Sequence, residues 1–134
     1  MILYGMLITK TLPGDFNELV FDFVSWDGKS RIVVPKGFVT DFASMRLLPR
    51  FMSDDTEEGG CIHDYHYKTG RYSHGGFQHV SRWEADMLLY RGLRDKEVAL
   101  WRAGLIWIGV RAFGWIPWSR YRRARKHFTK YKRG

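Results

Sequence analysis

A chain of 134 residues with 45% hydrophobic and 16% aromatic residues suits one domain around one core, and it is too apolar for disorder throughout. Its one cysteine, Cys61, excludes an intrachain disulfide and with it a secreted, disulfide-stapled scaffold. The net charge of +8 is unevenly placed: ten Lys/Arg follow Glu97, the last acidic residue, and the other twelve against 14 Asp/Glu leave the first 97 residues at −2.

The first segments read as strands. Ile2 to Ile8 is a short apolar run with no basic segment ahead of it, so no secretory leader is expected. Glu18 to Trp26 alternates, with Leu19, Phe21 and Phe23 on one face, and reads as one strand. Asp27-Gly28 predicts a type I′ turn, Ser30 to Val34 the returning strand, and Pro35-Lys36-Gly37 its end. Thr40-Asp41 then can cap a short helix through Leu48, stopped by Pro49. Ser53 to Gly60 is acidic and polar, a loop; Cys61 to Lys68 is a short helix; Gly70 to Val80 is a loop rich in Gly, His and Ser. Ser81-Arg82-Trp83-Glu84 is a capping box that opens a helix to about Arg94. A further helix covers Val98 to Phe113, Gly114 suits its stop, and Pro117 suits the first turn of a last, basic helix. The predicted class is α+β: a small N-terminal antiparallel sheet followed by four to five helices, with one domain over residues 1–118 and a basic helix or arm over 119–134.

Val98 to Trp118 has the length of a membrane span, but Arg102 and Arg111 argue against one. Nine positions apart, they fall on opposite helix faces, and each would cost about 2.5–3.5 kcal/mol near a bilayer centre. A buried core helix whose arginines escape at its two sides is the simpler expectation. No transmembrane span is predicted, although the basic end could associate with a membrane surface.

Three places bring polar groups to the edge of the core. Asp41, with Thr40, could be a ligand or base, or simply a helix cap. In His63-Asp64-Tyr65-His66-Tyr67 a histidine and a carboxylate adjoin, the makings of a divalent metal site or of an oriented imidazole; His63 and Tyr67 share a helix face. Asp86 shares a face with Leu89, Tyr90 and Leu93, so it points inward and needs a partner, for which Arg82, His63 or a metal would serve. No HExxH motif, Gly-rich phosphate loop or upstream histidine for a His-Asp phosphohydrolase is present.

These residues resemble a family when taken in series. Val34-Pro35-Lys36-Gly37-Phe38-Val39-Thr40-Asp41-Phe42-Ala43-Ser44, Ile62-His63-Asp64-Tyr65, Ser81-Arg82 with Ala85-Asp86, and Val110-Arg111-Ala112-Phe113-Gly114-Trp115 are similar to the phage and prophage family known as domain of unknown function 1353. Two departures stand out: Cys61 replaces a small aliphatic residue, and Met45-Arg46 stand where the pattern favours an early proline. The resemblance implies a phage genome, a late or structural gene context, and one shared constellation of Asp41, Ser44, His63, Asp64, Arg82 and Asp86.

The expected function is a virion-associated assembly protein of the tail or baseplate region. It would be made in the host cytoplasm, carried into the virion, and docked on other phage structural proteins by its aromatic surface and by Arg120, Arg122, Arg123, Arg125, Lys126, Lys130, Lys132 and Arg133. Nucleic acid is a further possible partner of that arm. The alternative is a small metal-dependent hydrolase acting on peptidoglycan, with His63, Asp64 and Asp86 holding a divalent metal and Asp41, with His63, doing the catalysis.

Overall fold

The structure is a computed structural model that describes residues 2–14, 16–40 and 56–133, with side chains as far as Ala124 in the last helix. Two small antiparallel sheets come first. Strands β1 (Thr9–Leu12), β2 (Phe16–Leu19) and, later in the chain, β5 (Val39–Thr40) form a sheet in the order β1-β2-β5, with Thr9 opposite Leu19 and Asn17 opposite Thr40. Strands β3 (Phe23–Trp26) and β4 (Arg31–Val34) form a hairpin, with Phe23 opposite Val34. The expected strand Ile2 to Ile8 is only a single bridge from Leu3 to Trp26; the first strand lies later, at β1.

The alternation of Glu18 to Trp26 survives, but not as one strand. Leu19 and Phe23 are each 1% exposed, whereas Phe21 is 61% exposed, because the chain turns a corner there from one sheet to the other. The corner is held by Asp22, whose carboxylate accepts from the Lys36 backbone N–H at 2.7 Å. The hairpin turn also differs from the expected two-residue type. The last strand pair is Trp26 with Arg31, and the four-residue loop is closed by Asp27, which accepts from the N–H groups of Lys29 and Ser30 at 2.7 and 2.6 Å. An aspartate side chain that imitates the backbone acceptor stabilises this wider turn.

Four helices follow among the described residues. Helix α1 (Glu57–Thr69) begins four residues before the predicted start, with Glu57 and Glu58 in its first turn where the helix dipole favours carboxylates. Gly70, at φ 67°, ends it in the left-handed conformation and donates its N–H to the His66 carbonyl. Helix α2 (Arg82–Asp95) starts as the capping box predicts, with Ser81 Oγ accepting from the Glu84 N–H at 3.1 Å. Helix α3 (Leu100–Phe113) leads directly into α4 (Trp115–Arg133). Gly114 between them is right-handed and donates to the Val110 carbonyl, so the helical path continues there rather than stopping. Helix α4 therefore runs across residue 118, and the basic arm continues a helix whose first turns pack on the core.

Three apolar clusters form the core, and two of them draw on α1. The first joins both sheets to it through Ile2, Leu19, Phe23, Ile32, Val34, Ile62 and Tyr65. The second lies between α2 and α3, around Leu89, Leu93, Ala103, Ile106 and Val110. The third sets Tyr67, Val80 and Ala85 against Trp118 and Tyr121 of α4. Each large side chain so buried contributes about 1.5–3 kcal/mol. As a result every residue from Gly59 to Tyr67 is buried, including three polar side chains on α1.

Helix α3 is not the buried core helix expected from its composition. Only Ala103, Ile106 and Val110 are buried, against α2, while Trp101, Leu105 and Ile108 on the opposite face are 57%, 46% and 57% exposed. Among the described residues no helix is long and apolar enough to cross a membrane.

Candidate active site

A helix enclosed on all sides must find partners for its polar side chains, because an unpaired polar group in the core costs a few kcal/mol. Helix α1 places His63, Asp64 and His66 in that position, and each meets a group from another element. Asp64 Oδ2 accepts from the Thr40 hydroxyl of β5 at 2.6 Å and lies 3.3 Å from Lys68 Nζ one turn along α1. His66 Nε2 donates to the Tyr72 carbonyl at 2.9 Å. Its Nδ1 is buried with no hydrogen-bond partner among the described residues, and burial lowers its pKa to about 4, so the ring is neutral.

His63 meets Asp86. The imidazole Nε2 lies 2.7 Å from Asp86 Oδ1, with both side chains fully buried. Asp86 Oδ1 also accepts from the Tyr67 hydroxyl at 2.6 Å, and Oδ2 accepts from Arg111 Nη1 at 2.8 Å, with Arg82 Nη1 at 3.6 Å. The carboxylate thus accepts three hydrogen bonds, with Arg82 as a further ion-pair partner, from side chains of three helices. Since the carboxylate only accepts, His63 donates from Nε2.

The supports of this centre are themselves built in. His63 and Tyr67, one turn apart on α1, stack at 4.2 Å between ring centroids, so both reach the same carboxylate oxygen. Burial and the bond to Asp86 push the Tyr67 phenol far up, which keeps it protonated and donating. Gly114 leaves room for that hydroxyl: a Cβ there would lie 2.5 Å from it. Arg82 donates to the Val110 and Arg111 carbonyls at 3.3 and 3.4 Å, capping the end of α3. Arg111 lies over the Trp83 ring at 4.9 Å on its way to Asp86.

Of the constellation expected from sequence, His63, Arg82 and Asp86 come together, and Asp64 stands beside them with its carboxylate turned to Thr40 and Lys68. Asp41 and Ser44 lie outside the described residues; Thr40, the bonded partner of Asp64, is the chain neighbour of Asp41. Among the described residues no group of three His, Cys, Asp or Glu side chains is placed to hold a metal ion. A divalent metal on His63, Asp64 and Asp86 would require Asp86 to leave its present partners. Cys61 is buried, and burial followed by the nearby Asp64 charge pushes its thiol far up, away from the thiolate a nucleophile needs.

Tyr67 and Arg111 were not assigned to this centre from sequence. The i, i+4 spacing from His63 pointed to Tyr67. For Arg111 the signal was a charge inside an otherwise apolar helix. Of the basic residues assigned to docking, Arg120, Arg122 and Arg123 are exposed on α4; the side chains of Arg125, Lys126, Lys130, Lys132 and Arg133 lie outside the described set.

The fold and centre together are those of an α+β domain with a buried histidine–carboxylate pair braced by a tyrosine and two arginines. The chain belongs to the family described as "Protein of unknown function (DUF1353)", which matches residues 18–110 and so takes in the end of β2, β3 to β5 and α1 to most of α3, with four of the five side chains of the centre, Arg111 lying just beyond. No curated protein and no solved structure matches the chain.

Proposed function

We propose that this chain is a small hydrolase in which His63 activates water and Asp86 holds the imidazole for that task. The observation that supports this reading is the 2.7 Å bond from His63 Nε2 to Asp86, braced by Tyr67 on the same carboxylate oxygen. With an ester as substrate, a water proton passes to the His63 imidazole as the water oxygen bonds to the carbonyl carbon. The bond to the leaving alcohol oxygen then breaks, and that oxygen takes the proton back from the imidazolium. Asp86 stabilises the imidazolium between the two steps and fixes its tautomer. His63 is only 1% exposed, so this reading requires the site to open to water and substrate. No step of this proposal passes through a metal.

The test is hydrolysis of a panel of p-nitrophenyl esters of short and long acyl chains, with peptidoglycan and a phospholipid alongside, by the purified full chain. His63→Gln is expected to lower the rate by about 10²-fold or more, and Asp86→Asn by a comparable factor. Hydrolysis by His63→Gln at the parent rate, or none of any substrate by the parent, would sink this reading.

A second reading rests on a different observation. Arg120, Arg122 and Arg123 stand exposed on α4, in a stretch with no acidic residue after Glu97. This supports an assembly component of a phage particle, in the tail or baseplate region, docking on an acidic neighbour. Mass spectrometry of purified particles tests it, and absence of the chain from them would refute it.

A further inference from the structure

The exposed side of α3 is the largest feature that the histidine centre does not use. At about 100° per residue Trp101, Leu105, Ile108 and Ala112 lie within a stripe of about 60°, and Ala103, Ile106 and Val110 lie on the opposite side. The structure buries the second set on α2 and leaves the first in solvent. Beyond the stripe, Phe113, Trp115 and Ile116 are 59%, 56% and 43% exposed, so large apolar side chains stay exposed past Gly114 into α4. A contiguous apolar surface of this kind marks an interaction site.

We propose that this face lies in the interface of an anionic lipid bilayer, with α3 parallel to the membrane plane. The composition and charge of the segment argue for lipid over a protein partner. From Leu100 to Trp118 the only charged side chains are Arg102 and Arg111, on the two flanks of the helix, and no carboxylate lies on the segment. Arg111 is already engaged with Asp86. Trp101 and Trp115 are exposed at the two ends of the face, and indole rings favour the boundary between acyl chains and headgroups. The residues that follow at once, Arg120, Arg122 and Arg123, are exposed cations, and no carboxylate after Glu97 opposes an anionic headgroup. The helix is too short and too charged to span, which leaves the in-plane orientation. This inference stands independently of the hydrolase reading.

Flotation of the full chain with vesicles tests it, using phosphatidylcholine alone and phosphatidylcholine with phosphatidylglycerol, at low and high salt. The expected result is recovery with the anionic vesicles, a blue shift of tryptophan emission, and weaker binding at high salt. The double variant Leu105→Asp/Ile108→Asp should keep the parent's circular dichroism and melting temperature, since both side chains are exposed, and lose binding by about tenfold or more. Arg120→Glu/Arg122→Glu should lose it by about tenfold as well. Should the double aspartate variant unfold, Trp101→Ser serves as the milder substitution, with a smaller loss expected in the same direction. Equal binding to both vesicle types overturns the anionic requirement, and no flotation overturns the proposal. It is equally overturned if Leu105→Asp/Ile108→Asp abolishes self-association rather than vesicle binding, or if the chain binds only nucleic acid or an acidic protein.

Discussion

Replacing Asp86 by alanine is expected to be the most damaging polar substitution in the molecule. The carboxylate is fully buried and accepts from Tyr67 and His63 on one oxygen and from Arg111 on the other, with Arg82 close by. Without it, the Tyr67 hydroxyl and the His63 N–H face a cavity, and a buried unsatisfied donor costs about 1–3 kcal/mol. The arginine side chains are 27% and 21% exposed, so they rehydrate in part and add less than fully buried charges would. The sum is about 3–5 kcal/mol, a large share of the roughly 5–15 kcal/mol of a whole domain. Urea unfolding followed by tryptophan emission and circular dichroism measures it. With a denaturant slope of about 2 kcal/mol per molar, the midpoint should fall by about 2 M. Arg111→Met alone should cost less, and combined with Asp86→Leu the two losses should sum to less than their separate values, because the second substitution removes a charge already stranded by the first. A midpoint shift for Asp86→Ala below about 0.5 M, or strict additivity of the pair, would refute the placing of Asp86 as the shared anchor of three helices.

Three further outcomes follow from particular contacts. An alanine Cβ at Gly92 would overlap the Tyr4 hydroxyl, so Gly92→Ala should destabilise by about 1–3 kcal/mol despite its better helix propensity, and in a Tyr4→Phe background the same substitution should cost clearly less in thermal or urea unfolding. His66 has a pKa lowered from 6.5 to about 4 by burial, so the unfolded chain takes up a proton there that the fold refuses; its contribution is present in full above pH 6.5 and is lost as pH falls toward 4, by about 3 kcal/mol. Stability measured across that window should lose this part of its slope in His66→Leu, and an unchanged slope would contradict the assignment. Cys61 is buried with its thiol pushed far up by burial, so a thiol reagent should label it in urea and hardly at all in buffer; fast labelling of the folded chain would show that α1 is not enclosed as described.

The sequence by itself determined what short-range chemistry decides. The start of α2 was legible because a serine and a glutamate three residues apart satisfy the first N–H groups of a helix wherever that helix packs. The sheet-then-helix order and the burial of Leu19 and Phe23 were legible from alternation, though not the corner at Phe21, which depends on where the second sheet lies. Asp86 was recognisable as an inward-facing carboxylate because its helix has a clear apolar face. Which groups meet that carboxylate was decided only by tertiary structure: Tyr67 and Arg111 are 19 and 25 residues away, and no local periodicity states which inward-facing groups of different helices converge. Helix α3 marks the limit most sharply. It is apolar nearly all round, so its pattern could not say which side is buried. The surface of α2 chose Ala103, Ile106 and Val110, and by that choice left Trp101, Leu105 and Ile108 facing out.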